Sequence, residues 1–431
     1  CSISPEYGTM EVFEQVLVGA HARGMKVIMD LVINHTSDEH PWFKASRADP
    51  AGPYHNYYFW RKGKGAEAAD RKDAEGSKRA AKAKGKGKGR VSGKKRDDQQ
   101  HTPASKPPNN WDSLFEGKAW EYDESLDEYY LHLFACKQPD LNMDNPEVRA
   151  EIEDIMRFWL DKGVDGFRED VITFISKAEG LPDDHFVAGA QGFRLYSDGP
   201  HVHEYLTEFK EEVLDHYDCM TVGEGPMMTP KRALPYIGEG PRQELDMMFH
   251  FQHMEADCWF TEYNARPFSL RKLKKVFTGW QDDLDGKAWN TLYLENHDHP
   301  RVISRFGSEK YHAESGKMLA ACYLFQKGTP FVFQGQEIGM TNISLPTIDD
   351  YPDVAAKKQY LLLKGKRKTE EEAMDVVRKA CRDNARTPMQ WSGTVNAGFS
   401  SVAPWFTVNP NYPVVNVAAQ TDDPDSLLNF Y

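Results

Sequence analysis

Three carboxylates stand in this sequence where paired acids could do chemistry. GFRED places Arg168 and Asp170 two apart, so that a strand there would turn both to one face. A guanidinium so close favours the ionised form of Asp170, which suits it to act as a nucleophile. Glu224 ends TVGE with an apolar run behind it, a setting that can raise a carboxyl's pKa and make it an acid. Asp298, in ENHDHPR, supplies the third. Two carboxyls about 5 to 5.5 Å apart can cleave an acetal bond with retention, one as nucleophile and one as acid. Taken singly, each could equally be an ion-pair partner, and only their joint placement argues for chemistry.

That placement depends on the elements around them. Thr9 to Gly24 reads as a helix with a threonine cap, and KVIMDLVI (26–33) as a short apolar strand covered on both faces. A helix is expected over 145–163, with Ile152, Ile155, Met156 and Trp159 at helical spacing. Strands then alternate with helices: 164–170, 219–224, 244–251, 289–297 and 329–337, separated by helical segments. Six strands in this rhythm imply an α/β protein with a parallel sheet, either open and doubly wound or closed. His35, Arg168, Asp170, Glu224, His297 and Asp298 fall at or just past strand ends, on four strands, which favours a (β/α)8 barrel. Such a barrel needs eight strands, so the chain reads as an incomplete one, short by roughly 60 to 80 residues at about 43 per βα step.

Composition narrows the class. The 431 residues carry 53 Lys plus Arg against 66 Asp plus Glu, a net charge of −13 that argues against nucleic acid as the partner. Aromatics at 12% are too many for a disordered chain. No apolar stretch approaches the length of a membrane span, and a cytoplasmic location is favoured. Six scattered cysteines without a CxxC fit free, buried thiols better than a disulfide framework or a zinc site. One segment breaks the pattern: residues 61–107 hold 16 basic and 6 acidic residues and no Phe, Trp or Tyr. Its Lys/Gly-rich middle reads as a solvated loop insertion; it lacks stacking rings for nucleic acid and the spacing of a phosphate loop.

With these stretches on the page, the chain resembles glycoside hydrolase family 13, the α-amylase superfamily, and within it the oligo-1,6-glucosidase and α-glucosidase branch. The resemblance rests on DLVINHTSDEHPWF (30–43), QPDLN (138–142), GFREDVITFISK (166–177) and TVGE (221–224). ENHDHPRVISRFG (295–307), GTPFVFQGQEIGMTN (328–342) and RDNARTPMQW (382–391) continue it in the family's order. It implies a (β/α)8 TIM barrel over 1–35 and 146–431, with a small domain, 36–145, inserted after the third strand. It implies Asp170 as nucleophile, Glu224 as acid/base and Asp298 as the third acid. His35, Gln138, Arg168, Val171, His297, Arg382 and Arg386 match substrate-site positions, and the expected partner is a short oligosaccharide.

The chain also departs from the family pattern. The opening strands and the Asp/Asn-rich calcium loop of many relatives are missing, so no metal or cofactor is expected. Glu169 stands where relatives often carry an apolar residue, and alternation should turn it away from the nucleophile. His299 replaces a commoner Gln or Asn. Asn34-His35-Thr36 fits a glycosylation sequon in a place that makes modification improbable, and His201 with His203 reads as a surface pair. Val171 immediately follows the nucleophile, as in the branch that cleaves α-1,6 bonds. Trehalose-phosphate hydrolysis and sucrose isomerisation share these motifs, and some proteins with this barrel are non-enzymatic partners that have lost the acids.

Overall fold

The computed structural model describes residues 1–64, 106–115, 117–186 and 190–431, arranged as two compact units. The middle of the basic segment, 65–105, lies outside the described residues.

The first unit comprises Cys1–Val164 and Asp170–Asp218. Its opening helix, Met10–His21, starts where the Thr9 hydroxyl accepts from the Val12 amide at 3.4 Å. Of the apolar run 26–33 only Met29–Leu31 (β1) forms a strand. A small antiparallel sheet joins Trp60–Arg61 (β2), Trp120–Asp123 (β3) and Glu128–Leu131 (β4) in the order β2-β4-β3. Aromatic and aliphatic side chains make its core: Trp111, Leu131, Leu133, Phe174 and Tyr196 are fully buried. The polar ends of the large rings are satisfied, with Trp111 Nε1 donating to the Pro182 carbonyl at 2.9 Å and Trp60 Nε1 to Ser46 Oγ at 2.8 Å. The helix Pro146–Asp161 begins with a proline after the Asn145 cap and buries Ile152, Met156 and Trp159. Phe13 of the opening helix meets Trp159 edge to face at 5.4 Å.

The second unit comprises Asp165–Glu169 and Cys219–Tyr431. Its centre is a parallel ladder of Gly166–Glu169 (β5), Met220–Gly225 (β6) and Met247–His250 (β7). Gly166 is required by its backbone: φ is +145°, and a Cβ there would sit 1.9 Å from the Met220 carbonyl oxygen. The helix Pro230–Ile237 connects β6 to β7. Cys258–Trp259 (β8) and Thr261–Ala265 (β9) form a hairpin, followed by the helix Leu270–Leu284. Thr291–Leu292 (β10) and Thr329–Pro330 (β11) pair in parallel across the helix His312–Leu324. The strands expected over 289–297 and 329–337 are therefore far shorter than their apolar patterns. Beyond β11 the chain turns instead, through a Gln336–Phe333 backbone bond and Gly335 at φ +86°.

Two of the six free cysteines, Cys258 and Cys381, are buried, whereas Cys1 and Cys322 are exposed, so the expectation of buried thiols holds for only part of the set. Among the described residues no helix is long and apolar enough to cross a membrane.

Candidate active site

The first unit resumes at Asp170, and the chain turns there at once. The Asp170 amide donates to the Leu31 carbonyl at 3.0 Å, and Val171 takes the left-handed conformation, φ +37° and ψ +43°. A β-branched residue pays for that conformation, and such strain persists only where the surroundings impose it. They do so here: the Val171 side chain is buried in the aromatic core beside Phe134 and Phe174. The Val171 side chain, which the family resemblance matches to a substrate-site position, thus packs inside the unit.

Four residues past β1, His35 is buried. Gln138 Oε1 accepts from the Ala135 amide at 3.2 Å, which directs its amide nitrogen to His35 Nε2 at 3.0 Å. Burial, the largest influence, lowers the His35 pKa, with Asp140 and then Asp170 opposing. Behind this pair lies a buried ionic cluster that sequence reasoning passed over. Lys177 Nζ lies 2.9 Å from Asp140 Oδ2 and donates to Asn34 Oδ1 at 3.0 Å. Asn34 Nδ2 donates to Asp140 Oδ2 at 3.1 Å, and Asp140 Oδ1 accepts from the Leu133 amide at 2.8 Å. A lysine isolated in the apolar run VITFISK was the available signal. With both ends of its amide engaged and no exposed surface, Asn34 is closed to glycosylation. His201, by contrast, is a surface residue paired with Glu204 at 2.9 Å.

In the second unit, Arg168 on β5 and Glu224 on β6 face the same side of the ladder, and the guanidinium pairs with the Glu224 carboxylate. The apolar run behind Glu224 gives no hint of this ionic partner. Glu169 sits on the opposite face by alternation, but it is buried. Burial first, and the Asp246 charge second, push its carboxyl up to about 8.

Asp298 lies in a loop, six residues beyond β10, rather than at a strand end. Its Oδ1 accepts from Arg386 Nη2 at 2.7 Å and Arg382 Nη1 at 3.2 Å, while Oδ2 lies 3.2 Å from His297 Nε2. Burial works to raise its pKa, but the His297 hydrogen bond and the two arginine charges win and hold it well below the usual carboxylate range. Arg386 Nε also donates to the His297 carbonyl at 2.9 Å, and Arg382 is anchored by Asp353 at 2.9 Å. The loop base is fastened by Arg301 and Glu295, fully buried and 2.9 Å apart. The structure thus gathers His297, Asp298, Arg382 and Arg386 in one unit and His35 with Gln138 in the other. Among the described residues no three His, Cys, Asp or Glu side chains come together as a metal-ligand set.

Residues 1–431 match the family model of the α-amylase catalytic domain, and the chain belongs to that family. It is a glycoside hydrolase catalytic domain of the (β/α)8 TIM-barrel class. It is 47% identical over 440 residues to an oligo-1,6-glucosidase of Parageobacillus thermoglucosidasius, covering the whole of this chain and 70% of that protein. A trehalose-6-phosphate hydrolase of Bacillus subtilis (strain 168) is 40% identical, again over the whole chain and 70% of the relative. Among solved structures, the trehalose-6-phosphate hydrolase of Bacillus licheniformis superposes with a TM-score of 0.84 at 40% identity, covering all of this chain and 70% of that one. The trehalulose synthase MutB of Pseudomonas mesoacidophila MX-45 gives 0.85 at 37% identity, covering all of this chain and 71% of that one.

Proposed function

We propose that the chain carries the catalytic machinery of a retaining α-glucosidase that releases glucose from short α-1,6-linked oligosaccharides, with α-1,4-linked ones as poorer substrates. The observation that carries this reading is the likeness to oligo-1,6-glucosidases along the whole chain, at 47% and 45% identity for two of them. In the proposed mechanism Asp170 attacks the anomeric carbon while Glu224 gives its proton to the departing oxygen, so that a glycosyl-enzyme ester forms as the aglycone leaves. Water then attacks the same carbon, Glu224 takes the water's proton, and Asp170 is released as carboxylate. Asp298 remains ionised between its cationic neighbours, accepts from sugar hydroxyls and faces the positive charge that develops on the ring. Arg168 orients Glu224, while His35, Gln138, His297, Arg382 and Arg386 line the glucose site. Residues 36–145 form the small inserted domain, and 1–35 with 146–431 the barrel.

Hydrolysis of trehalose phosphate is the second reading, favoured by the B. subtilis relative and the B. licheniformis structure. Initial rates on isomaltose, maltose, sucrose, trehalose and trehalose phosphate decide between them. The first reading expects the highest kcat/KM on isomaltose; a preference for the phosphorylated sugar would replace it with the second.

A further inference from the structure

The loop that carries Asp298 is tied on its far side to a hairpin that the mechanism does not use. His299 follows Asp298 directly, is buried, and has its Nδ1 2.7 Å from Glu262 Oε1 on β9. A carboxylate oxygen only accepts, so Nδ1 carries the proton and the ring has one orientation. Glu262 is held in turn: Arg305 Nη1 donates to the same Oε1 at 3.0 Å, and Arg305 grips Asp257 through Nη2 at 2.7 Å and Nε at 3.0 Å. Against the burial that would raise it, His299 and Arg305 pull the Glu262 carboxyl down to about 2, so the bond to His299 is charge-assisted at any working pH. The loop itself is tight around this point, with the Asp298 amide donating to Asn296 Oδ1 at 2.8 Å. A displacement of His299 is therefore passed directly to Asp298.

We infer that Glu262 is a positioning residue for the sugar-binding acid: acting through His299, it fixes the backbone on the C-terminal side of Asp298. The inference rests on the proposed role of Asp298 in holding the sugar. Glu262 touches no reacting atom in this scheme, and its effect falls on binding geometry, which governs KM and transition-state contacts alike.

The test is a double-mutant cycle in the full-length enzyme, with kcat and KM on isomaltose and the melting temperature read for each variant. Glu262→Gln keeps the shape and loses the charge; it should lower kcat/KM about tenfold, chiefly through KM. Glu262→Asp, which restores the charge, should recover part of that loss. In a His299→Gln background the further change Glu262→Gln should cost less than about twofold, because the route to Asp298 is already cut. Equal losses in both backgrounds, a fall confined to kcat, or a lowered melting temperature with unchanged KM would overturn the inference. Asp298→Asn separates the two levels of argument. If it leaves kcat/KM intact, the underlying site reading fails; if it costs about 100-fold or more while the cycle shows no coupling, only the role of Glu262 fails.

Discussion

Asp170 and Glu224 differ in how directly their proposed roles can be probed. With Asp170→Gly the nucleophile is gone but space remains, so turnover should vanish and return in part with azide on an activated glucoside, whose leaving group needs little acid help. Glu224→Gln keeps the contour and removes the proton; general acid catalysis typically supplies roughly 10² to 10⁴. A fall of less than about tenfold on isomaltose would remove Glu224 from that role. Val171 needs two measurements, because it is both strained and buried. Thr has nearly the same volume but brings a hydroxyl into an apolar core, so Val171→Thr should destabilise by about 1 to 3 kcal/mol in denaturant unfolding. If linkage choice also depends on this position, the isomaltose-to-maltose ratio of kcat/KM falls as well. Loss of stability with an unchanged ratio would leave Val171 a packing residue alone. Its position after Asp170 was visible in the sequence, whereas its burial was not, since that follows from a left-handed turn no pattern announces.

At the scale of elements, β5 carries opposite burdens on its two faces: Arg168 meets Glu224 on one, and Glu169 is sealed in on the other. Strand alternation predicted the division of faces, but it could not say that the second face would be dry. With its folded pKa near 8, Glu169 binds a proton between about pH 4.5 and 8 that the unfolded chain does not hold. Stability should accordingly fall as pH rises through that window and level off above it. Glu169→Gln should flatten this slope and stabilise the protein above pH 8 by on the order of a few kcal/mol, with little change at pH 4. Urea melts of both proteins at pH 4, 6 and 8.5 check it, and parallel curves would show that the carboxyl is not the cause. The ion pair Lys177–Asp140 behaves differently, because both partners are buried and matched. Breaking it on one side strands a charge, so Lys177→Met should cost about 3 to 5 kcal/mol. Long-range pairings such as this one, or Asp298 with Arg386, 88 residues apart, leave no local trace in a sequence. Asp298 stood out in the sequence as a carboxylate near a strand end, Arg386 only through the family resemblance, and Glu262 not at all.

For the molecule as a whole, the alternation of strands and helices was legible because each βα step repeats one apolar pattern. Strand lengths were not, because the apolar runs past residues 292 and 330 leave the strand ladder after two residues, and Val332 in the second run is exposed. The reading of the basic segment as a loop insertion rests on composition and falls mostly outside the described residues, but its two ends are described. Lys64 and Lys106 face each other in an antiparallel bridge: the Lys64 amide donates to the Lys106 carbonyl at 2.8 Å and the reverse bond is 3.3 Å. Lys64 is further paired with Asp183. Lys64 and Lys106 are therefore close enough for a four-residue turn to join them. Closing a loop costs entropy that grows as the logarithm of its length, so a roughly tenfold shortening should stabilise the protein by up to about 2 kcal/mol. Replacement of 65–105 by such a turn in the full-length protein should then keep kcat on isomaltose within error and leave the melting temperature unchanged or a few degrees higher. A lower melting temperature, or lost activity in a protein that still folds, would mean that the segment makes contacts with the fold or with substrate that its Lys/Gly-rich composition does not suggest.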